Sequence, residues 1–326
     1  MKTCIFVSQC LNFGGMEKSA FNLALEYKKR NFKVEFILLF EPSLESKNFL
    51  KKNNFNYQII GRGFFKTFLK FYKIAQNIRI NNPECLFCFG HQFLTIFSIF
   101  LFPVSHKELS IHCHHGDFRS KLLWKIYYFI AKRAFNSITF SSSIMLNQAL
   151  RIYPKLNEVA YINRTILSVP KENLKKFENN LFEKNVIIVG GLGWFIKRKR
   201  FDLFINLAKL LLEESNKFRF KLAGDGPLKS ELKARASLFG IDDFIEWCGL
   251  VEDTKIFYKS IDILVYFTDV DAFPIVPLEA MANNVPVLAS TKFSDLNQVL
   301  ENKKHCFIQD NHDLNLLVNQ ISLLIN

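Results

Sequence analysis

Apolar runs of strand length alternate with segments of helical periodicity along this chain. Residues 2–8, 85–89 and 186–190 are examples of the first kind, and residues 17–30 and 228–238 are examples of the second. Strands that alternate with helices predict parallel, doubly wound α/β sheets. Because 326 residues are long for one core and sufficient for two, we expect two such domains.

The division between the two domains is predicted after residue 165, which gives domains at residues 1–165 and 166–326. Residues 168–184 are polar and highly charged and include a proline, which is typical of a linker. Charge is also divided: the first domain holds 23 Lys+Arg against 9 Asp+Glu, and the rest holds 20 against 21. The basic first domain predicts a polyanionic partner, either an anionic membrane surface or nucleic acid. No zinc-finger, RNP-type or basic-zipper pattern is found, so nucleic acid is disfavoured.

Two predicted helices of the first domain are both basic and aromatic. Residues 64–72 include Lys70, and residues 121–133 include Trp124 and Lys125. Either helix could lie on a membrane surface. The alternative, favoured for each helix taken singly, is a helix packed on the sheet with a solvated basic face. The division of charge favours a lipid contact for at least one of them.

Cysteines and histidines do not form a metal-binding pattern. The seven cysteines are scattered through apolar runs, which indicates buried thiols in a reducing compartment. Cys85 and Cys88 lie in one predicted strand with no second pair at zinc spacing, so core packing is favoured over a metal or redox role. Residues 111–118 place three histidines at a strand end without a fourth partner. No metal is expected.

The stretch 261–289 holds the groups best suited to bind a ligand. An apolar run at 261–267 predicts a strand, a loop with Asp271 follows, and Pro274 fits the start of a helix, where proline loses no intrahelical hydrogen bond. Glu279 would lie early in that helix. In open parallel sheets ligands bind beyond the carboxyl ends of strands, and a helix N-terminus there favours anions. Two carboxylates beside an anion site predict a ligand with phosphates and hydroxyls, such as a sugar nucleotide.

Further loops carry groups suited to phosphate. Gly14 and Gly15 stand between a predicted strand and a predicted helix, where paired glycines let backbone amides approach a phosphate, although an ordinary tight turn would also explain them. Residues 197–200 are four consecutive basic residues, which suit a pyrophosphate or, alternatively, form a solvated charge run. Residues 224–227, Gly-Asp-Gly-Pro, predict a turn whatever the function.

The pattern Asp271-Ala-Phe-Pro-Ile-Val-Pro-Leu-Glu279, followed by alanine, resembles the signature of the retaining glycosyltransferases of family 4. The turn at 224–227 and the strand at 245–249 match the family in the same order. The family usually has glutamate at the position of Asp271 and arginine at the position of Gly191. The resemblance implies the GT-B fold, in which two Rossmann-like, doubly wound parallel-sheet domains face each other across a cleft. The N-terminal domain would bind the acceptor and the C-terminal domain the nucleotide sugar.

The resemblance also implies roles for individual residues. Glu279 would bind the donor ribose and Asp271 would lie near the hydroxyls of the donor sugar. His115 would lie by the reacting carbon, with His114 as the alternative. Lys199 would contact the donor diphosphate, and Arg198 or Arg200 could replace the missing arginine. The implied donor-binding set, with Lys197 as the rival of Lys199, is Gly14, Gly15, Lys199, Lys197, Gly224, Gly249, Phe273, Pro274, Ile275 and Glu279.

The implied activity is metal-independent transfer of a hexosyl or N-acetylhexosaminyl group, with retention of configuration, from a nucleotide sugar that we expect to be UDP-linked. The expected acceptor is a membrane-associated glycan or glycolipid in lipopolysaccharide, capsule or lipid-linked oligosaccharide synthesis. No signal peptide is evident, and the longest uncharged run, residues 91–106, is too short to span a bilayer. We therefore expect a cytoplasmic protein, peripheral on the inner face of the cytoplasmic membrane. The alternative is a non-catalytic GT-B subunit that supports a partner transferase.

Overall fold

The computed structural model divides the chain into two compact units, Met1–Ile166 and Leu167–Asn326. Each unit is built around one sheet in which every paired strand is parallel. The structure describes residues 2–8, 15–61, 69–70, 72–74, 76, 83–90, 96, 104–112, 120–164, 184–251 and 253–325. Of the predicted linker, only Lys184 is among the described residues. Most of the predicted helix at 64–72 also lies outside them.

The first unit contains a seven-stranded sheet in the order β3-β2-β1-β4-β5-β6-β7. All residues of β1, β4 and β6 are buried, because both faces of the sheet are covered at these strands. The rings of Phe6, Phe36 and Phe87 stand in one row across three strands. The strands are β1 Thr3–Ser8, β2 Lys33–Leu38, β3 Asn56–Ile59, β4 Cys85–Phe89, β5 His106–Ile111, β6 Ser137–Phe140 and β7 Ala160–Ile162.

Three helices of the first unit begin at serine caps. The hydroxyls of Ser43, Ser120 and Ser142 each accept a hydrogen bond from the backbone N–H three residues on, which satisfies one of the unpaired donors of the first turn. The helices within the described residues of this unit include α1 Gly15–Lys29, α2 Leu44–Lys52, α3 Lys121–Ala134 and α4 Ser143–Ile152. Among the described residues, no helix has the length and apolarity needed to cross a bilayer.

The second unit contains a six-stranded sheet in the order β10-β9-β8-β11-β12-β13. On one face of this sheet a core cluster joins the helices at Phe201–Glu214 and Leu314–Ile325, with Phe204 and Leu211 of the first beside Leu317 and Ile321 of the second. A second cluster, which includes Phe257 and Ala280, completes the core. The strands are β8 Ile187–Leu192, β9 Phe218–Ala223, β10 Ile245–Gly249, β11 Ile263–Val270, β12 Val287–Phe293 and β13 Phe307–Gln309. The helices are α5 Phe201–Glu214, α6 Lys229–Leu238, α7 Thr254–Lys259, α8 Ile275–Ala282 and α9 Leu314–Ile325.

The interpretation of all seven cysteines as thiols is wrong for one pair. Cys4 and Cys85 form a disulfide between β1 and β4, where the two residues are partners in register and their Cα atoms lie 5.0 Å apart. That separation suits a disulfide, and the sequence could not reveal it because the cysteines are 81 residues apart. Cys88 and Cys306 are buried thiols, as expected. Burial raises the pKa of the Cys88 thiol well above its usual value.

Candidate functional site

The second sheet has a topological switch point between β8 and β11. These strands pair with each other, yet the chain continues from β8 to β9 on one side and from β11 to β12 on the other. Loops that leave the carboxyl ends of such a strand pair turn apart and leave a crevice between them, where ligands of open α/β sheets bind. The loop after β8 carries Lys199, and the loop after β11 carries Asp271. The fold therefore places two of the predicted site residues at this crevice.

Lys199 and Asp271 form an ion pair that a tyrosine completes. The Nζ of Lys199 donates to the carboxylate of Asp271 and to the hydroxyl of Tyr266 at 2.6 Å. The Tyr266 hydroxyl in turn donates to Asp271 Oδ2 at 2.5 Å. The Lys199 and Asp271 side chains are only 15% and 18% exposed. The structure thus joins two predicted residues through a third that the sequence did not indicate.

The charges of this trio are set by burial and by its own contacts. Burial alone would raise the pKa of Asp271, but the charge and hydrogen bond of Lys199, together with the Tyr266 hydrogen bond, hold that pKa below its usual value. Burial and the Asp271 charge raise the pKa of Tyr266 well above its usual value. At neutral pH Asp271 is therefore ionised, and Tyr266 remains a protonated hydrogen-bond donor.

The four consecutive basic residues have different surroundings. Arg198 is exposed, donates from Nη1 to the carbonyl of Val270 at 3.2 Å, and its charge helps to lower the pKa of Asp271. Arg200 is engaged in ion pairs with Asp202 at 2.9 Å and Asp269 at 3.3 Å, in a left-handed backbone conformation with φ 47°. Lys197 is exposed at the start of the short 3-10 turn Lys197–Lys199. Lys199 and Arg198 are therefore the cations that face Asp271.

Gly191 lies inside β8 and has no room for the arginine that the resemblance expects there. A Cβ at this glycine would meet a Leu222 side-chain carbon at 2.9 Å and the Phe204 ring at 3.0 Å. A long side chain would have to displace this part of the core. The positive charge beside the switch point comes instead from the turn that follows β8.

Helix α8 begins at Ile275, directly after Pro274, as the proline predicted. Pro274 provides no side-chain cap, so the N-terminal amides of Ile275 and Val276 have no capping partner from it. Glu279 lies on the same helix, and its Oε2 accepts a hydrogen bond from the Tyr258 hydroxyl at 3.0 Å. Burial and the Glu279 charge raise the pKa of Tyr258, which keeps this phenol protonated as a donor.

Glycines bring three neighbouring loops together at the same edge. The N–H of Gly224 donates to the carbonyl of Gly249 at 2.7 Å, and a Cβ at Gly224 would lie 1.9 Å from the carbonyl oxygen of Gly193. Gly224 therefore permits the loop after β9 to touch the loop after β8. Gly249 has φ +68° but open space around its Cα, so it is required for its backbone conformation rather than for a close approach.

A second polar network lies beside the first. His312 precedes α9, its Nδ1 lies 2.6 Å from the Ser290 hydroxyl and its Nε2 lies 3.1 Å from Asp269 Oδ1. Asp269 also pairs with Lys292 and Arg200. The Ser290 hydroxyl is fully buried, so the Ser290–His312–Asp269 arrangement has no access to a substrate. It links the start of α9 to the loops around the switch point.

Two other predicted site residues lie beside helix starts, and three lie outside the described residues. Gly15 is the exposed first residue of α1, and Phe273 is half-buried in the loop before α8. Gly14, His114 and His115 lie outside the described residues. Within the described parts of the chain, no cluster of His, Cys, Asp or Glu is arranged to hold a metal ion.

Sequence reasoning missed the tyrosines that contact Asp271 and Glu279, and it missed the Ser290–His312–Asp269 network. Tyr266 lies in the apolar run that forms β11, and Tyr258 lies in α7, so both had the sequence context of core aromatic residues. His312 stands between two acidic residues before an amphipathic helix, a pattern that also suits a solvated helix start. Only the spacing of Asp271 and Glu279 and the basic run at 197–200 indicated a binding site in the sequence.

We expect protonation of His312 to destabilise the protein. Burial lowers the pKa of His312 below its ordinary value of about 6.5, and the hydrogen bond to Asp269 opposes this only in part. The unfolded chain therefore binds the proton first, so the free energy of unfolding is highest above pH about 6.5 and falls as the pH is lowered through that value. Urea unfolding at pH 7.5 and pH 5.5 should show a shallower pH dependence for His312→Gln than for the wild type.

The control for this measurement is the exposed His305, whose replacement by glutamine should leave the pH dependence as it is. His112, whose pKa burial lowers to about 4, acts in the same direction and remains in the variant. The pH dependence should therefore be reduced rather than abolished. An unchanged dependence in His312→Gln would show that His312 does not carry the effect.

The chain is similar to known glycosyltransferases. Residues 183–326 match the family model described as glycosyl transferases group 1. An uncharacterized glycosyltransferase of Haemophilus influenzae is 27% identical over 172 residues, which are 53% of this chain and 47% of that protein. The alpha-monoglucosyldiacylglycerol synthase of Streptococcus pneumoniae is 26% identical over 145 residues, 43% of this chain and 32% of that protein. The match spans less than half the length of each relative.

The similarity to solved structures covers both units. The crystal structure of Anabaena HepE in complex with UDP and glucose has a TM-score of 0.82 and 15% sequence identity, and the alignment covers 100% of this chain and 90% of that one. Together with the two parallel-sheet units, this similarity identifies the fold as GT-B, which confirms the fold class predicted from the sequence.

Proposed function

We propose that this protein is a GT-B glycosyltransferase that moves a sugar from a nucleotide-sugar donor to a glycan or glycolipid acceptor, with retention of configuration and without a metal ion. The observation that carries the proposal is the buried Lys199–Asp271 pair at the switch point, with Arg198 beside it and the uncapped start of α8 in the following segment. The similarity of residues 183–326 to glycosyl transferases of group 1 supports it.

Lys199 is positioned to receive the donor diphosphate. An ammonium group has three N–H donors, and two of them are directed at Asp271 and Tyr266. The third can meet a phosphate oxygen without a change in the lysine side chain. Since sugar departure leaves negative charge on the diphosphate, a cation fixed before the reaction stabilises the transition state without reorganising. Arg198 and the first amides of α8 supply further positive potential.

The Asp271 carboxylate can bind both Lys199 and the donor sugar. Its Oδ2 accepts both of the hydrogen bonds described above, whereas Oδ1 accepts none from the described residues. Because the carboxylate is ionised, Oδ1 can accept a hydrogen bond from a sugar hydroxyl. Aspartate in place of glutamate shortens the side chain by one methylene, and the Lys199 and Tyr266 contacts fix where the shorter side chain ends.

Glu279 binds the hydroxyls of the donor ribose, in a carboxylate orientation fixed by Tyr258. The bond between the sugar and the diphosphate breaks, and its electrons stay on the diphosphate. The acceptor hydroxyl attacks the sugar on the face from which the diphosphate departs. The departing phosphate takes the acceptor proton, and we assign to His115, with His114 as the alternative, the role of contacting the donor at the reacting carbon. UDP is the expected nucleotide, and the solved complex of HepE with UDP and glucose supports this choice.

The first test is a panel of UDP-, GDP- and ADP-sugars, measured for binding and slow hydrolysis. Glu279→Ala should weaken binding of the preferred donor by about 10- to 100-fold, because a charged hydrogen-bond acceptor is lost. The matched control is Glu214→Ala, an exposed glutamate in the last turn of α5, which should bind as the wild type does.

Two outcomes of this panel would contradict the proposal in different ways. If a donor binds the wild type and Glu279→Ala equally tightly, Glu279 does not belong to the donor site, but the proposal of a glycosyltransferase stands. A folded wild-type protein that binds none of the donors would favour the alternative of a non-catalytic subunit.

A further inference from the structure

The outer face of α3 carries apolar side chains. Leu122 is 67% exposed, Ile126 43% and Phe129 46%. Their spacings of four and three residues place them in one stripe along the helix. Trp124 and Tyr127 are buried on the opposite side. Helix α3 therefore packs on its sheet, as expected, but the face it leaves outward is an apolar stripe rather than a solvated basic face.

Cations border this stripe. Lys121 and Lys125 are exposed one helical turn apart along one side of it. The guanidinium of Arg133 lies 3.7 Å from the centroid of the Phe129 ring, at the end of the stripe. The helix contains no acidic residue. The part of the chain that holds α3 also holds the whole positive excess of the protein, with 23 Lys+Arg against 9 Asp+Glu in residues 1–165.

We propose that the outer stripe of α3, Leu122, Ile126 and Phe129, is the surface by which this protein binds an anionic lipid bilayer. An apolar stripe bordered by lysine and arginine is the pattern of a helix that lies in the membrane interface, with its apolar side chains at the boundary of headgroups and acyl chains. The lysines then meet lipid phosphates. The inference rests on the proposed function in one respect, since it names the surface where a membrane-bound acceptor would be met.

Charge argues against a second copy of this chain as the occupant. In a symmetric dimer the same patch meets itself, so Lys121 and Lys125 of one protomer would approach the same residues of its partner. Like charges brought together across an interface oppose association. A bilayer that contains anionic lipid instead offers opposite charge around the whole stripe.

The test uses vesicles of phosphatidylcholine with and without phosphatidylglycerol, and sedimentation of the full-length protein. The wild type should bind the vesicles that contain phosphatidylglycerol. The triple variant Leu122→Gln, Ile126→Gln, Phe129→Gln should bind them at least about tenfold more weakly, because it lacks the apolar contact area. Glutamine keeps the helix propensity high, so the circular dichroism spectrum should not change.

The matched control replaces three exposed apolar residues of the other unit by glutamine. Leu238, Ile256 and Leu323 are 82%, 68% and 72% exposed, and their joint replacement by glutamine should leave vesicle binding unchanged. A second variant, Lys121→Gln with Lys125→Gln, should weaken binding at low salt, and its difference from the wild type should shrink at high salt. If the triple variant fails to fold, Ile126→Gln alone carries the comparison.

Three results would overturn the inference: a wild type that does not bind the anionic vesicles, a triple variant that binds them as tightly as the wild type, and a triple variant that loses only a dimer. Hydrolysis of the donor in lipid-free solution is measured on the same samples and should be equal in wild type and triple variant. If vesicle binding follows the α3 stripe but no donor is hydrolysed or bound, the proposed function fails and the membrane surface stands.

Discussion

Replacement of Lys199 by alanine is expected to reduce sugar transfer by about 100- to 1000-fold in a protein that still folds, the range found when one oriented charge-stabilising group is removed from an active site. The loss should appear in kcat more than in KM, because the charge on the diphosphate grows as the sugar departs. Tyr266 still donates to Asp271 in this variant, so the buried carboxylate keeps one partner.

Comparison variants separate Lys199 from the neighbouring cations. Lys197→Ala, which changes an exposed side chain in the same turn, should cost less than about threefold, since exposed charges in water act weakly. Arg198→Ala should give an intermediate loss. Full turnover in Lys199→Ala would count heavily against a phosphate-binding role for Lys199. A large loss of turnover confined to Lys197→Ala would assign that role to Lys197.

Replacement of Gly224 by alanine is expected to destabilise the second unit by about 2–4 kcal/mol. The new Cβ would lie 1.9 Å from the carbonyl oxygen of Gly193, which is backbone and cannot rotate away, and φ at Gly224 is +143°. The loop after β8 must therefore move, and that loop leads to Lys199. Donor affinity should fall in the fraction of protein that remains folded. Urea unfolding, with donor titration on the same samples, measures both effects.

Two other glycines provide the control for Gly224. Gly240 and Gly249 have φ +66° and +68°, and a Cβ at either would meet nothing within 4 Å. Replacement of either glycine by alanine should lower the free energy of unfolding by about 1 kcal/mol, because a left-handed backbone is unfavourable for a residue with a Cβ. If Gly224→Ala costs no more than these two, the contact between the loops does not depend on the absence of a side chain.

Two predicted strands have the bounds that the structure shows. The run at 85–89 is β4, which is apolar and buried along its whole length because it lies inside a covered parallel sheet. The strand at 245–249 is β10, an edge strand that ends at a glycine. Strand β13, which has only three residues, was not predicted. So short a strand is held by its neighbour β12 rather than by its own sequence.

The candidate site was predictable only as far as side-chain chemistry shows in the sequence. Asp271, Glu279 and the basic run after β8 were visible through spacing and charge. The hydroxyls of Tyr266 and Tyr258 were not, because a tyrosine in an apolar segment indicates core packing, and only the folded structure brings its oxygen to a carboxylate. The Cys4–Cys85 bond was hidden for a related reason, since strand order decides which cysteines become neighbours.

Asp269 belongs to two parts of the second unit at once. Its carboxylate holds Arg200, the residue after Lys199, and also holds His312, the residue two positions before α9. The position of the lysine therefore depends mechanically on the final helix, although that helix contributes no group to the proposed chemistry. An alteration near the C-terminus that strains α9, such as a fused tag, would therefore reach the switch point through this carboxylate as well as through the packing of α9 against α5.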